Sequence, residues 1–315
     1  MTQSDGSRPA TVVVNVPGSA ILTQVQEALG DGEVVVAIDD DRARDADILL
    51  VMSRDRSTIE PTRLPSVRWL HAFATGVDSY PIDAVGDRIL TCSRGANAVP
   101  IAEFTLASML AFVKRFPETW LAEAPERWGW AELDVLAGKT VGLLGVGAIG
   151  TEVARRALAF DMRVLGYRRR AVPHDLPEIE LVTALEDLLG QSDHVVIAAP
   201  ATPATYHMIN ADTLGAIKPG AHIVNIARGT LVDQDALLAA LDDGRVAGAS
   251  LDTVDPEPLP AGHPLYAHPN VRLSAHVSWG APDALAPTLQ LFADNVRRYR
   301  AGEPLHGIVD VDAGY

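Results

Sequence analysis

One stretch constrains this chain more than any other: Thr140-Val141-Gly142-Leu143-Leu144-Gly145-Val146-Gly147-Ala148-Ile149-Gly150. Its Val- and Leu-rich start reads as a buried strand. The glycines then follow at G-x-G-x-x-G spacing, and Thr151 to Phe160 reads as a helix. Each glycine has its own steric duty. Gly145 permits the tight turn out of the strand, Gly147 leaves the backbone open to a pyrophosphate, and Gly150 lets the helix pack close to the strand. The helix start at Ala148 and Ile149 adds free N–H groups and a positive dipole end, which suit phosphate. A second strand, Arg163 to Tyr167, follows at βαβ distance. That context turns a weak pattern into a dinucleotide-binding unit.

The rest of the chain must accommodate that unit. A length of 315 residues predicts about two domains. A net charge of −15 argues against nucleic acid or an anionic membrane as partner. An anionic ligand must therefore be drawn in by a local positive patch. No apolar run approaches the roughly 18 residues of a membrane span, and the polar N-terminus lacks the pattern of a signal peptide. Cys92 is the only cysteine, so no disulfide framework and no cysteine-based metal site is expected. No metal is predicted, and a reducing cytoplasm fits.

Strands are predicted at Thr11–Val16, Val34–Ile38, Ala46–Met52, Val67–Ala72 and Arg88–Cys92, with a helix at Ala20–Leu29. This alternation makes the first hundred or so residues a small α/β domain of their own. It contains no glycine-rich phosphate loop. Ala74-Thr75-Gly76-Val77-Asp78 directly follows a strand, and reads either as a turn offering N–H groups to an anion or as a plain connection. Pro100 to Val113 is a long apolar helix bridging to the second domain. Lys114 to Gly138 is the least regular part and holds Trp120, Trp128 and Trp130. Aromatics in such an arm suit a subunit interface or a cover for the chain's own core.

Further strands are predicted at Val195–Ala199, Ala221–Ile226, Val246–Leu251 and Val271–Leu273, with helices between them such as Gln234–Leu241. The pattern is an open, doubly wound parallel sheet whose ligand belongs at the carboxyl ends of the strands. The last helix, Asp283–Arg300, and the tail to Tyr315 point back to the first domain. The predicted domains are 1–99 with 283–315, for substrate, and 100–282, for dinucleotide.

Polar residues cluster at the strand ends. Arg228 follows one strand, Asp252 the next and His276 the last, with Glu257 in the intervening Asp255-Pro256-Glu257-Pro258. A guanidinium fork grips a carboxylate bidentately. An imidazole passes a proton near neutral pH. A carboxylate beside it favours the charged form and fixes its orientation. Singly, each is an ordinary surface arginine, loop carboxylate or one of nine histidines. Together at the ends of a nucleotide-binding sheet, Arg228, Glu257 and His276 have the functions a 2-oxo acid needs.

These segments resemble the D-isomer-specific 2-hydroxyacid dehydrogenase family over nearly the whole chain. The resemblance is carried by Gly145 to Gly150, Ile226-Ala227-Arg228-Gly229-Thr230-Leu231-Val232-Asp233, Ala249-Ser250-Leu251-Asp252 running on to Glu257-Pro258-Leu259-Pro260, His263-Pro264-Leu265, Pro269-Asn270-Val271 and Ser274-Ala275-His276. It implies a Rossmann-type domain inserted in a smaller flavodoxin-like domain. It implies a homodimer with Arg228, Glu257 and His276 as catalytic residues. By the same resemblance Asp252 holds the nicotinamide carboxamide, and the Thr75-Gly76-Val77 backbone holds the substrate carboxylate. Pro200, Thr202, Pro203 and Thr205 line the adenosine end, and Ala227 and His276 border the cofactor. The expected reaction is D-specific hydride transfer between a nicotinamide cofactor and a small 2-oxo or 2-hydroxy acid such as glyoxylate or hydroxypyruvate. The alternatives are a phosphoglycerate dehydrogenase without a C-terminal regulatory domain and a dinucleotide-sensing, corepressor-like binding protein.

Two departures from the family pattern bear on specificity. Asp252 is followed by Thr253-Val254 where Val-Phe is common. His276 is followed by Val277-Ser278-Trp279-Gly280 where many members have two glycines, which places Trp279 at the substrate pocket. At the end of the second strand, where NAD-binding versions carry an acidic residue, Tyr167 is followed by Arg168, Arg169 and Arg170. Arg168 takes the usual acidic position, and with Arg169 it favours NADP(H) over NAD(H). The competing reading has these arginines facing solvent or pairing with Asp175.

Overall fold

The computed structural model describes residues 10–15, 19–168 and 175–315. They divide into two compact units, the chain up to Asn97 with Pro282–Tyr315, and Ala98–Ala281.

In the first unit, β1 (Ala10–Val14), β2 (Glu33–Ala37), β3 (Ile48–Val51), β4 (Trp69–Ala72) and β5 (Ile89–Cys92) build one sheet, with α1 (Ser19–Leu29) between β1 and β2 in the chain. The strands are all parallel, in the order β2-β1-β3-β4-β5, which is the flavodoxin-like arrangement. Successive residues point to opposite faces of a strand. Val12 and Val14 accordingly pack with Ile48, Leu50, Trp69 and Phe292 on one face, while Val13 packs with Leu49 and Leu70 on the other. Both faces are covered, so these strands read as continuous apolar runs. The C-terminal helix, Ala286–Ala301, supplies Leu289, Phe292 and Val296 to the first face. It starts later than the sequence predicts, because Pro287 lies in its first turn, where a missing N–H costs nothing. Beyond it, the amide of Cys92 donates to Gly307 O at 2.9 Å and that of Val309 to Leu90 O at 2.9 Å, which binds the tail to the β5 edge.

The second unit runs through α2 (Ala98–Lys114), β6 (Thr140–Leu144), α3 (Ala148–Ala159), β7 (Arg163–Tyr167), β8 (Glu180–Val182), α4 (Leu185–Gln191), β9 (His194–Ile197), α5 (Ala211–Gly215), β10 (Ala221–Asn225), α6 (Gln234–Asp242), β11 (Val246–Leu251), α7 (Pro264–Ala267) and β12 (Val271–Leu273). Its sheet has the order β12-β11-β10-β9-β6-β7-β8, again all parallel. This is the doubly wound arrangement, and the order reverses between β6 and β9, where a crevice opens at the carboxyl ends. Val141 and Leu143 pack toward α2 and α3, whereas Leu144, Val195 and Ile197 belong to the opposite face. The short β8 was not expected from the sequence. Only Val182 of its residues is half-buried, the others being exposed, so it carries little apolar signal. Residues 115–139 contain no helix or strand. Among the described residues, no helix is long and apolar enough to cross a membrane, and no group of three or more His, Cys, Asp or Glu is placed to hold a metal ion.

Candidate active site

The glycine-rich turn links β6 to α3. Gly145 has φ +102°, and a Cβ there would stand 2.7 Å from Ala198 O on β9's exit loop. A Cβ on Gly150 would stand 2.3 Å from Gly145 O. These two glycines are thus required by the packing of the unit itself. Gly147 differs: no atom lies within 4 Å of where its Cβ would be. Its missing side chain serves no internal contact and leaves open space beside the first turn of α3. After β9, Thr205 Oγ1 donates to Pro200 O at 2.7 Å and accepts from the Thr202 amide at 2.8 Å. That closes a tight turn from which Pro200 and Thr202 border the same crevice edge of the sheet.

The residues that follow β10, β11 and β12 converge. Buried Asn225 ends β10 and folds the next turn around its own side chain. It accepts from the Ala227 amide at 3.1 Å and donates to Arg228 O at 2.9 Å. Arg228 is half-buried, and its Nη1 donates to Ala227 O at 2.7 Å. The Arg228 turn abuts the loop that carries Glu257, since a Cβ on Gly229 would stand 1.9 Å from the Val254 carbonyl carbon. Gln234, at the start of α6, holds that loop by donating to Asp255 O and accepting from its amide at 3.2 Å. Glu257 then meets His276 across 2.9 Å, Oε2 to Nδ1. With an ionised Glu257, Nδ1 is the donor, so Nε2 is the nitrogen left to face a ligand. No bond from Nε2 is made among the described residues. His276 has a left-handed backbone, φ +54°, and its carbonyl accepts from the Trp279 indole at 2.9 Å. The Trp279 ring is exposed beside it.

A model of the D-isomer-specific 2-hydroxyacid dehydrogenase NAD-binding domain matches residues 106–278. The glyoxylate reductase of Thermofilum pendens is 35% identical over 82% of this chain and 80% of its own length. The chain belongs to the D-isomer-specific 2-hydroxyacid dehydrogenase family. Another relative, the D-3-phosphoglycerate dehydrogenase of Methanocaldococcus jannaschii, is 28% identical over 95% of this chain and 59% of that protein. Among solved structures, a D-isomer-specific 2-hydroxyacid dehydrogenase from Xanthobacter autotrophicus Py2, in complex with NADPH and MES, superposes with a TM-score of 0.85. It is 28% identical and covers 98% of this chain and 100% of its own. As a 2-hydroxyacid dehydrogenase the protein is an NAD(P)-dependent oxidoreductase. It transfers hydride between a nicotinamide cofactor and a 2-oxo or 2-hydroxy acid.

The chain's own residues fit such a dinucleotide. Gly147 leaves space where a side chain would block a pyrophosphate. Arg168, the residue after β7, has Nε and Nη2 buried with no hydrogen-bond partner, and it makes no ion pair with Asp175 among the described residues. Arg169 and Arg170 lie outside the described residues. In the other unit, none of the amides of Thr75, Gly76 and Val77 donates a hydrogen bond among the described residues. Thr75 Oγ1 donates to Ser93 O at 3.2 Å, which holds the turn. Sequence reasoning passed over Asn225 and Gln234. A polar residue closing the apolar strand AHIVN was the available signal for the first. Nothing local marks the second, because its partner lies on a loop 21 residues away.

Proposed function

We propose that this 2-hydroxyacid dehydrogenase reduces small 2-oxo acids, glyoxylate or hydroxypyruvate, with NADPH as the preferred cofactor. The observation that carries the reading is the Glu257–His276 pair at 2.9 Å, with no bond from Nε2 of the imidazole among the described residues. In the direction of reduction, Arg228 holds the substrate carboxylate; within its own unit, the Thr75-Gly76-Val77 turn is a candidate carboxylate binder, its amides donating no hydrogen bond among the described residues. A guanidinium fork matches a carboxylate in plane and charge. The nicotinamide supplies hydride to the substrate C2. His276 gives its Nε2 proton to the ketone oxygen, and Glu257, bonded to Nδ1, holds the ring in place. Trp279 borders the pocket and favours small substituents at C2.

Gly145, Gly147, Ala148, Ile149 and Gly150 take the pyrophosphate; Pro200, Thr202 and Thr205 line the adenosine; Ala227 borders the nicotinamide. Arg168, with Arg169, takes the 2′-phosphate. The NADPH complex of the Xanthobacter relative supports that preference, as do the unpartnered nitrogens of Arg168. The glyoxylate reductase relatives support the substrate class. A second copy of the chain covers the tryptophan-bearing arm, giving a homodimer. Cys92, free and buried, suits a reducing cytoplasm.

The test is turnover of a panel of 2-oxo acids with NADPH and NADH, in the wild type and in His276→Ala. General acid catalysis contributes roughly 100- to 10,000-fold. The variant should lose turnover on that scale while still binding cofactor. Near-full turnover in His276→Ala would refute the proton-donor assignment, and no turnover of any 2-oxo acid by the wild type would refute the substrate class.

A further inference from the structure

His276 has a left-handed backbone, φ +54°, which residues with side chains rarely adopt. Such a conformation persists only where its neighbours over-determine it. Here both peptide planes that flank the residue are tied. The plane before it is held through the His276 N–H, which donates to Asp252 O at 2.9 Å. The plane after it is held at both edges. Its N–H, that of Val277, donates to Asp252 Oδ1 at 2.9 Å. Its C=O accepts from the Trp279 indole Nε1, also at 2.9 Å. With both planes held, φ and ψ of His276 are set, and with them the direction in which the ring leaves the backbone. The ring then meets Glu257 at 2.9 Å.

Of these ties, the indole is the one made by a side chain that departs from the family pattern. The Gly280 amide donates to Val277 O at 2.8 Å, closing a tight turn that brings Trp279 back to the His276 carbonyl. A Cβ on Gly280 would stand 3.0 Å from Val277 O, so the residue after Trp279 suits the turn by having no side chain. The glycines common in this turn among family members have no donor of this kind. Trp279 is 43% exposed, so water could serve its N–H; the His276 carbonyl serves it instead. We propose that Trp279 is a positioning residue: its indole N–H fixes the peptide plane after His276 and so holds the imidazole where Glu257 bonds Nδ1 and Nε2 is left for the substrate. This role goes beyond that of a pocket wall, and it rests on the reading of His276 as proton donor.

Trp279→benzothienylalanine, introduced site-specifically, keeps the shape of the ring and puts sulfur where the N–H was. The wall is preserved and only the tie is lost. Misplacing a catalytic group by 1 Å costs about 100-fold, and loss of one tie should cost part of that, about tenfold in kcat with NADPH and the 2-oxo acid. KM for the 2-oxo acid and Kd for NADPH should hold. The neutral His276 ring, followed without ligands by NMR of labelled imidazole nitrogens, should pass from the Nδ1–H tautomer that Glu257 selects toward the Nε2–H tautomer. Trp279→Phe removes the N–H and part of the wall. Its kcat should fall to the same degree, and longer 2-oxo acids should be accepted in addition. A wild-type kcat in the benzothienyl variant would overturn the proposal, and so would an unmoved tautomer. A Trp279→Phe enzyme altered only in which 2-oxo acids it accepts would assign the ring to the pocket wall alone. The tautomer measurement needs no turnover, so an enzyme inactive on every 2-oxo acid would refute the functional reading while the NMR still decided the role of Trp279.

Discussion

Arg168 leaves β7 with two buried guanidinium nitrogens and no partner for either among the described residues. Buried donors left unbonded cost about 1–3 kcal/mol, a cost that an anion at the site removes. A carboxylate at this position would accept from ribose hydroxyls and repel a 2′-phosphate, whereas a guanidinium pairs with the phosphate. Hydrogen bonds to charged groups contribute roughly 1.5–3 kcal/mol, which is about one to two decades in affinity. Arg168→Asp should therefore lower the ratio of kcat/KM for NADPH to that for NADH by one to two decades, on the scale of that same contribution. Steady-state kinetics with both cofactors decide it. A wild type that favours NADH, or a ratio that does not move, would show that the arginine serves another purpose.

At the scale of elements, β9, β10 and β11 share a buried polar ladder that the reaction does not use. His194 Nδ1 lies 3.2 Å from His222 Nδ1, and His222 Nε2 lies 3.0 Å from Ser250 Oγ. Phe112 of α2 stacks on the His222 ring with centroids 4.2 Å apart. It fits there because Gly248 has no side chain; a Cβ would stand 2.8 Å from the Phe112 ring. Burial pushes the His194 pKa down to about 4 and that of His222 well below its ordinary 6.5. Both rings are neutral in the folded protein at pH values where the unfolded chain has charged them. The sign follows: the stability is fully present above about pH 6.5, and it falls as the unfolded state takes up protons that the folded state refuses. Each such histidine contributes a slope of about 1.4 kcal/mol per pH unit in that window. Urea unfolding of the wild type between pH 6.5 and 4.5 should show the decline, and His222→Phe should make it shallower by about one histidine's worth. Identical slopes in the two proteins would rule out these rings as its source.

For the whole molecule, the arm between α2 and β6 exposes what a lone copy would not be expected to leave in water. Trp120, Trp128 and Trp130 are 68%, 83% and 66% exposed, and Leu121, Leu133 and Val135 stand out with them. Exposed large apolar side chains gathered on one segment suit an interaction face, and aromatics are enriched in interface cores. Light scattering at micromolar concentration should give twice the chain mass of 33.6 kDa. Trp128→Glu with Trp130→Glu should shift the protein toward one copy, because a carboxylate in a buried interface goes unpaired. A wild type already at 33.6 kDa would refute the dimer.

What the sequence determined on its own was whatever depends on neighbours along the chain. The strand, the glycine turn and the helix of the dinucleotide unit are local requirements, so Gly145, Gly147 and Gly150 announce them. Apolar runs mark strands buried on both faces, and the order of strand-end residues brings Arg228, Glu257 and His276 into view. The sequence could not say which side chains meet across strands, since that follows from sheet order and register. The pairing of Leu251 with Leu273 puts Asp252 beside Ser274, residues 22 apart in the chain. The pairing of His222 with His194 makes one buried ladder of two histidines 28 apart. Gln234 reaches Asp255 only because α6 starts where the Glu257 loop passes. These contacts are set by packing between elements, and no residue adjacent in sequence gains or loses by them. Only the tertiary structure could bring Ser274, Val277 and Ser278 onto the Asp252 carboxylate.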